Sequence, residues 1–178
     1  MTSNALHWYV AYVRSCQEKR SAEALEKLGV EHYLPVQRVK KKYSDRTKLV
    51  DQLVLPRMLF IRTSESRRTK LLSEVYGLTR YMTSGGTYHP VIIPEKQMED
   101  FRFMVDHGEG RVRMTSERFV PGDHVKVISG PFSGFVYELL YVGEKRCLAV
   151  SLGSIGTATI EISPSDIVPA GNEEQEEK

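Results

Sequence analysis

The chain has 178 residues, of which 40% are hydrophobic and 27% charged, and its net charge is +2. This is ordinary globular composition rather than disorder, and the length is enough for a medium domain and a small one or for a single larger unit. No apolar run approaches the roughly 18 residues of a membrane helix, and the polar residues 1–6 do not read as a signal peptide. Cys16 and Cys147 are far apart and lack metal-ligand spacing, so a reducing, cytoplasmic setting without disulfide or metal is expected. Charge is uneven along the chain. Up to Glu117 there are 20 Lys and Arg against 14 Asp and Glu; from Arg118 onward there are 5 against 9. A basic front and an acidic back suggest two domains with different partners.

Residues 7–13, His-Trp-Tyr-Val-Ala-Tyr-Val, are apolar on both alternating faces, as a strand covered on both sides would be. Ser15-Cys16-Gln17-Glu18 reads as a capping box opening a helix, with Ala22, Leu25 and Leu28 on its inner face and Gly29 as its stop. Residues 30–39 read as a returning strand, and Pro35 points to an edge or a bulge. A basic stretch with Lys40, Lys41, Lys42, Arg46 and Lys48 around Ser44-Asp45 precedes a further apolar strand at 53–61. Strand, charged tip and strand make a hairpin.

A second helix is expected over 64–75 with Leu72 and Val75 inward. Short strands follow at 78–82 and 88–93, separated by Ser84-Gly85-Gly86. Pro94 opens a third helix in which Met98, Phe101 and Val105 keep helical spacing. The front half is thus a mixed α/β domain. Residues 107–117 are charged and aperiodic and read as a linker. Beyond them come short segments at 119–128, 135–142, 147–152, 157–162 and 167–168 with Gly and Pro turns, the pattern of a small all-β barrel. The final Glu173, Glu174, Glu176 and Glu177 read as a frayed acidic tail. Catalysis is not expected. Cys16 at a helix start has no histidine in a recognisable pairing context, and no phosphate loop or carboxylate pair stands out.

The run Gly122-Asp123-His124-Val125-Lys126-Val127-Ile128-Ser129-Gly130-Pro131-Phe132-Ser133-Gly134 resembles a KOW motif: a strand, a tight turn and a glycine requiring positive φ. In the front half, Trp8-Tyr9 opening the first strand, Leu55-Pro56 before a hydrophobic strand, and Tyr76-Gly77-Leu78 before the next match the order of a NusG N-terminal (NGN) domain. The chain therefore resembles the NusG family over nearly its whole length. The resemblance implies an α+β architecture: an NGN domain at 6–106, with an antiparallel-type sheet flanked by helices, a linker at 107–117, a small all-β KOW (SH3-like) barrel at 118–170 and a disordered acidic tail at 171–178. Residues 8–14, the Ser44-Asp45-Arg46 tip and the Pro56 strand are similar to the UpxY-type, RfaH-like antiterminators of capsular polysaccharide loci.

The same resemblance implies a monomeric, cofactor-free transcription antitermination factor, away from membranes. Tyr12, Met58 and Phe60 would grip the β′ clamp helices of RNA polymerase. Arg68, Thr69 and Lys70 would touch the β gate loop. Arg14, Lys40, Lys41, Lys42, Arg46 and Lys48 would lie along upstream or non-template DNA or nascent RNA, through salt-sensitive phosphate contacts. Gly130, Pro131, Phe132, Gly134 and Ile155 would form the KOW surface that recruits Rho or a ribosomal protein. Two departures stand out: Pro56-Arg57-Met58 replaces the usual Pro-Gly-Tyr or Pro-Asn-Tyr, and Ile155 replaces an aromatic. The rival readings are a KOW-containing RNA- or ribosome-binding protein and a housekeeping elongation factor.

Overall fold

The computed structural model describes residues 5–85, 88–116 and 122–170. In chain order the first elements are β1 (Leu6–Val13), α1 (Glu18–Lys27), β2 (His32–Tyr33), β3 (Val36–Lys42), β4 (Thr47–Leu53), β5 (Met58–Ser64) and α2 (Glu65–Glu74). They are followed by β6 (Leu78–Tyr81), β7 (Ile92–Ile93), α3 (Glu95–His107), β8 (Arg113–Thr115) and β9 (His124–Val127). The last are β10 (Val136–Val142), β11 (Lys145–Ser151), β12 (Thr157–Glu161) and β13 (Ile167–Pro169). Two compact units result, one of residues 1–36 and 51–99 and one of 37–50 and 100–178. None of the described helices is long and apolar enough to cross a membrane.

The first unit is built on β1. Its neighbours are β5 and β6, with β2 outside β5 and β7 also paired to β1, all antiparallel. Trp8, Tyr9, Val10 and Ala11 are all buried, as a strand covered on both faces requires. Tyr9, Ala11 and Val13 share one face with Leu59 and Ile61 and join Leu25 of α1 and Leu71 of α2 in a single core with Val75, Leu78 and Tyr81. Burying each leucine side chain there contributes roughly 1.5–3 kcal/mol.

Several local expectations change. The capping box does not form: Cys16 turns the chain at φ 61°, and Gln17 occupies the cap without a side-chain hydrogen bond. The buried Glu18 instead accepts the Arg57 backbone N–H at 3.0 Å, while the Val13 N–H donates to the Arg57 carbonyl at 2.8 Å. That carboxylate holds the turn into β5, where Arg57 sits at φ 63°. Leu28 faces outward because it lies in the closing turn, after the last helical residue. The strand expected over 30–39 is broken between β2 and β3, and that over 53–61 starts only at Met58. Pro35 cannot donate to a ladder; its carbonyl instead accepts the Val54 N–H at 2.9 Å.

At the start of α2, Ser64 accepts the Arg67 N–H at 3.4 Å. Arg68 then grips the Glu65 carboxylate with two hydrogen bonds, from Nε at 2.8 Å and from a terminal guanidinium nitrogen. The Tyr9 hydroxyl donates to the same carboxylate at 3.1 Å. The guanidinium also lies 5.7 Å from the Tyr9 ring centre and 5.6 Å from that of Tyr81, so cation, carboxylate and two rings tie α2 to the sheet.

In the second unit β3 and β4 pair only with each other. The larger sheet is antiparallel, in the order β13-β9-β10-β11-β12-β8. Within the stretch read as a linker, α3 runs to His107 and β8 pairs with β12, so part of it is ordered by the sheet. Gly134 has a φ of 90°, as the turn chemistry predicts, Gly130 also takes a positive φ of 78°, and the Gly134 N–H closes the turn onto the Val127 carbonyl at 2.8 Å. Among the described residues the end strands β13 and β8 do not pair, so no closed sheet is found there. Both end strands have only three residues, too few for an extensive ladder. The expected lead-in at Phe119-Val120-Pro121, Gly86 of the 84–86 turn and the acidic tail lie outside the described residues.

Gly122 lies where an added Cβ would overlap the Leu139 carbonyl oxygen, and its N–H donates to Glu138 Oε1 at 2.8 Å. Gly122→Ala is expected to cost about 2 kcal/mol, the scale of an overpacked site, read as an earlier midpoint in urea denaturation. A second prediction concerns pH. The Arg68 hydrogen bonds hold the Glu65 carboxyl below its ordinary value, against burial and with help from Tyr9. A depressed carboxyl contributes stability above the ordinary carboxylate range and loses it as pH falls through the lowered value. The contribution is modest, because the Glu65 side chain is 46% exposed and screened by solvent. Arg68→Ala should bring the Glu65 titration, followed by NMR, back toward its ordinary position and flatten the acid dependence of stability.

Candidate functional site

At the C-terminal end of β1, Tyr12 pairs with Met58 on one side and Arg80 on the other. Val10 stands opposite Phe60, so Tyr12, Met58 and Phe60 share the face away from the α1–α2 core. Tyr12 and Met58 are half-buried and reach the surface. Phe60 does not: it is fully buried, with the Tyr33 ring 6.3 Å from its own. It lies one alternation deeper along β5 than Met58. The Arg80 guanidinium lies 4.3 Å above the Tyr12 ring centre, a cation–π contact that holds the phenol in place.

Arg14, one residue beyond β1, stacks on a residue that the sequence reading did not single out for function. Its guanidinium lies 4.6 Å from the Tyr76 ring centre and hydrogen-bonds the Tyr76 hydroxyl at 3.0 Å. The Tyr76 ring is 74% exposed, so a face of it is open to a ligand. The adjoining Gly77 is fixed by close approach: its carbonyl accepts the Arg14 N–H at 2.9 Å, and an added Cβ would overlap Ser21 Oγ. Arg57 and Arg80 are exposed at the same sheet end, and α1 begins beside it with exposed Lys19 and Arg20. Lys19 reaches Asp51 at 3.4 Å, a solvent-exposed pair of little strength. Tyr76, Arg57 and Arg80 thus complete a surface of which the sequence showed Tyr12, Met58 and Arg14. The turn at Tyr76-Gly77 was visible as a signal; the arginines were not, because only the strand register brings them together.

A basic hairpin forms, but from β3 and β4 within the stretch read as its tip rather than from strands at 30–39 and 53–61. The Tyr43 N–H donates to the Arg46 carbonyl at 2.7 Å, closing a two-residue loop of Ser44 and Asp45. Lys40, Lys41, Lys42, Arg46 and Lys48 are all exposed. Asp45 lies 3.6 Å from Arg46, and the Lys41 ammonium is 5.7 Å from the Tyr43 ring centre. One weakly paired carboxylate leaves the tip strongly positive.

Arg68, Thr69 and Lys70 separate. Thr69 and Lys70 are exposed on α2, whereas Arg68 is engaged with Glu65, Tyr9 and Tyr81 and its side chain is only 19% exposed. Its geometry is that of a brace between helix and sheet. In the second unit, Gly130, Pro131 and Gly134 form an exposed turn. Phe132, expected to meet a partner, is buried: its ring lies 6.0 Å from those of Phe103 and Tyr137, edge to face in both cases. Burial pushes the Tyr137 phenol up to about 12, so this cluster is neutral and apolar. Phe135, 42% exposed and 4.5 Å from the Phe103 ring, is the aromatic this turn presents. Ile155 is half-buried at the end of the 3-10 turn Gly153–Ile155.

These surfaces combine half-exposed apolar groups, stacked cation–aromatic pairs and a cluster of lysines, which suits them to binding. No curated protein matches the chain. Among solved structures, one concerned with domain interaction in Thermotoga maritima NusG is 18% identical and covers 92% of this chain and 97% of its own, with a TM-score of 0.49. A structure of the MjSpt4:Spt5 complex in conformation B is 14% identical, with coverages of 91% and 95% and a TM-score of 0.31. The family model described as transcription termination factor nusG matches residues 6–102, more than half of the sequence. On that match, the chain belongs to the NusG family of transcription factors.

Proposed function

We propose that this protein is a transcription elongation and antitermination factor that binds RNA polymerase and carries it through a long operon, of the kind that encodes capsular polysaccharide synthesis. The observation that supports this reading is the end of the first sheet, where half-exposed Tyr12 and Met58 stand beside exposed Arg14, Arg57, Tyr76 and Arg80. Tyr12 and Met58 contact the β′ clamp helices, with Phe60 beneath them as packing. Met58 supplies an adaptable thioether where the family more often has an aromatic. Thr69 and Lys70 are the groups on α2 that meet the β gate loop. Bridging clamp and gate loop favours a closed, pause-resistant polymerase by binding that state more tightly.

Nucleic acid is held by two positive features. Arg14 and Tyr76 offer a stacked cation and ring to an unpaired base, and Lys40, Lys41, Lys42, Arg46 and Lys48 neutralise phosphates of upstream DNA. The second sheet acts as the KOW module of residues 118–170, with β8 of the 107–117 linker added at its edge, following the NGN domain of 6–106. Its left-handed Gly130 and Gly134 support that reading. Its partner, Rho or a ribosomal protein, is met through the exposed Gly130-Pro131 turn, Phe135 and Ile155.

Binding to core RNA polymerase tests the proposal. Tyr12→Ala/Met58→Ala should weaken the complex by at least about tenfold, since buried interface anchors commonly contribute more than 1 kcal/mol each. Added NusG should displace the wild-type protein, and circular dichroism should show the variant folded. Absence of binding, both to core enzyme and to polymerase paused on DNA, would overturn the proposal and favour an RNA- or ribosome-binding role.

A further inference from the structure

We infer that Gln37 is the positioning residue of the basic hairpin, its carboxamide clasping β3 to the turn that precedes β8. The inference rests on the reading that this hairpin binds nucleic acid. Gln37 is 5% exposed and sits three residues before Lys40. Its Nε2 donates to the Val112 carbonyl at 3.1 Å, and its Oε1 accepts the Val112 N–H at 3.2 Å. The side chain therefore satisfies both backbone groups of a residue that is itself 1% exposed, as a neighbouring strand would. Arg113 donates from one guanidinium nitrogen to the same carbonyl at 2.9 Å and to the Gly110 carbonyl at 3.1 Å, which fixes the turn from its other side.

The turn is shaped to come close. Glu109 and Gly110 take φ of 50° and 78°, and the Arg111 N–H donates to the Gly108 carbonyl at 2.9 Å. Any Cβ on Gly110 would overlap the Arg38 carbonyl oxygen and stand 3.1 Å from Val39 Cγ1. Backbone thus lies directly on backbone at Arg38, with the Val39 side chain beside it; these are the two residues between Gln37 and the first lysine. A two-stranded ribbon is marginal in water when nothing else holds it. Left free, this one would spread its cations over many orientations, and ordering them would oppose binding. The Gln37 clasp and the Gly110 approach remove that freedom beforehand. Lys40, Lys41 and Lys42 follow on the same strand, Lys40 and Lys42 on one face and Lys41 on the other, so anchoring β3 fixes the direction of all three.

Titration of the full chain with a short duplex DNA at several salt concentrations tests this. Gln37→Ala should weaken binding by about tenfold and make the dependence of log K on log salt shallower by about one, as if one phosphate contact were lost. Lys40→Ala/Lys41→Ala/Lys42→Ala should do at least as much. Combining the two sets should weaken binding by less than the product of their separate effects, because Gln37 acts through the lysines. Gln37→Glu keeps an acceptor for the Val112 N–H and loses the donor, so it should fall between. Amide hydrogen exchange should quicken at Val112 in Gln37→Ala, less so in Gln37→Glu, and stay slow in β1 and β5, which separates loosening of the clasp from unfolding. Gly110→Ala, which pushes β3 away by a different route, should reproduce the DNA result if Gln37→Ala fails to fold. Wild-type affinity and slope in folded Gln37→Ala and Gln37→Glu, or effects that simply multiply with those of the lysine variant, would overturn the inference. A lysine variant that binds as tightly as wild type would remove the nucleic-acid reading of the hairpin, and the inference with it.

Discussion

The seven antiparallel pairs between β1 and β5, from Leu6 opposite Ser64 to Tyr12 opposite Met58, determine the rest of the first unit. Both strands are central and mostly buried, so alternation of polar and apolar residues cannot set their register by itself. Specific contacts do so instead: a slip of one residue would move Tyr9 away from the Glu65 carboxylate and Arg14 away from the Gly77 carbonyl. The turn at Arg57 closes the same register from one end, held by a buried Glu18. The positions of Tyr12, Met58 and Arg80 at the surface are consequences of that register.

Element types were largely legible because they depend on local pattern. The unbroken apolar run at 7–13 requires a strand covered on both faces, and Met98, Phe101 and Val105 are buried along α3 as their spacing implies. Turn chemistry was equally readable at Gly130 and Gly134, since a left-handed backbone favours glycine strongly. Local signals failed where a side chain had a stronger distant partner. Glu18 has the spacing of a capping residue, yet it is used 39 residues away at Arg57. Closure of the second sheet also lay beyond local pattern, because it depends on how the end strands meet rather than on their composition.

The candidate site shows the same limit in sharper form. Alternation assigns Met58 and Phe60 to one face but is silent about depth, and depth decides whether a side chain can meet a partner. Arg68 looks like a free surface cation in sequence; it is occupied by Glu65 and two aromatic rings that come from other strands. Phe132 looks like a loop aromatic, yet Phe103 and Tyr137 enclose it, leaving Phe135 outside. Conversely, Arg57, Tyr76 and Arg80 carry no motif of their own. They become a surface because three strands end together.

A common rule connects these residues. Two cations on the surface of the first sheet have their positions set by an aromatic partner on a neighbouring segment: Arg14 by Tyr76, Arg80 by Tyr12. In the hairpin Lys41 lies over Tyr43 and Arg46 beside Asp45, while Lys40, Lys42 and Lys48 extend from a ribbon whose two strands, among the described residues, pair with each other alone. Long ammonium side chains lose much rotamer freedom when they bind, so freedom in the ribbon beneath them would add a second entropic cost. Rigidity therefore has to come from the base of the ribbon. Gln37 and Gly110 stand there, where a polar contact with the Val112 backbone and a close backbone approach fix β3 without using any charge that the hairpin would present.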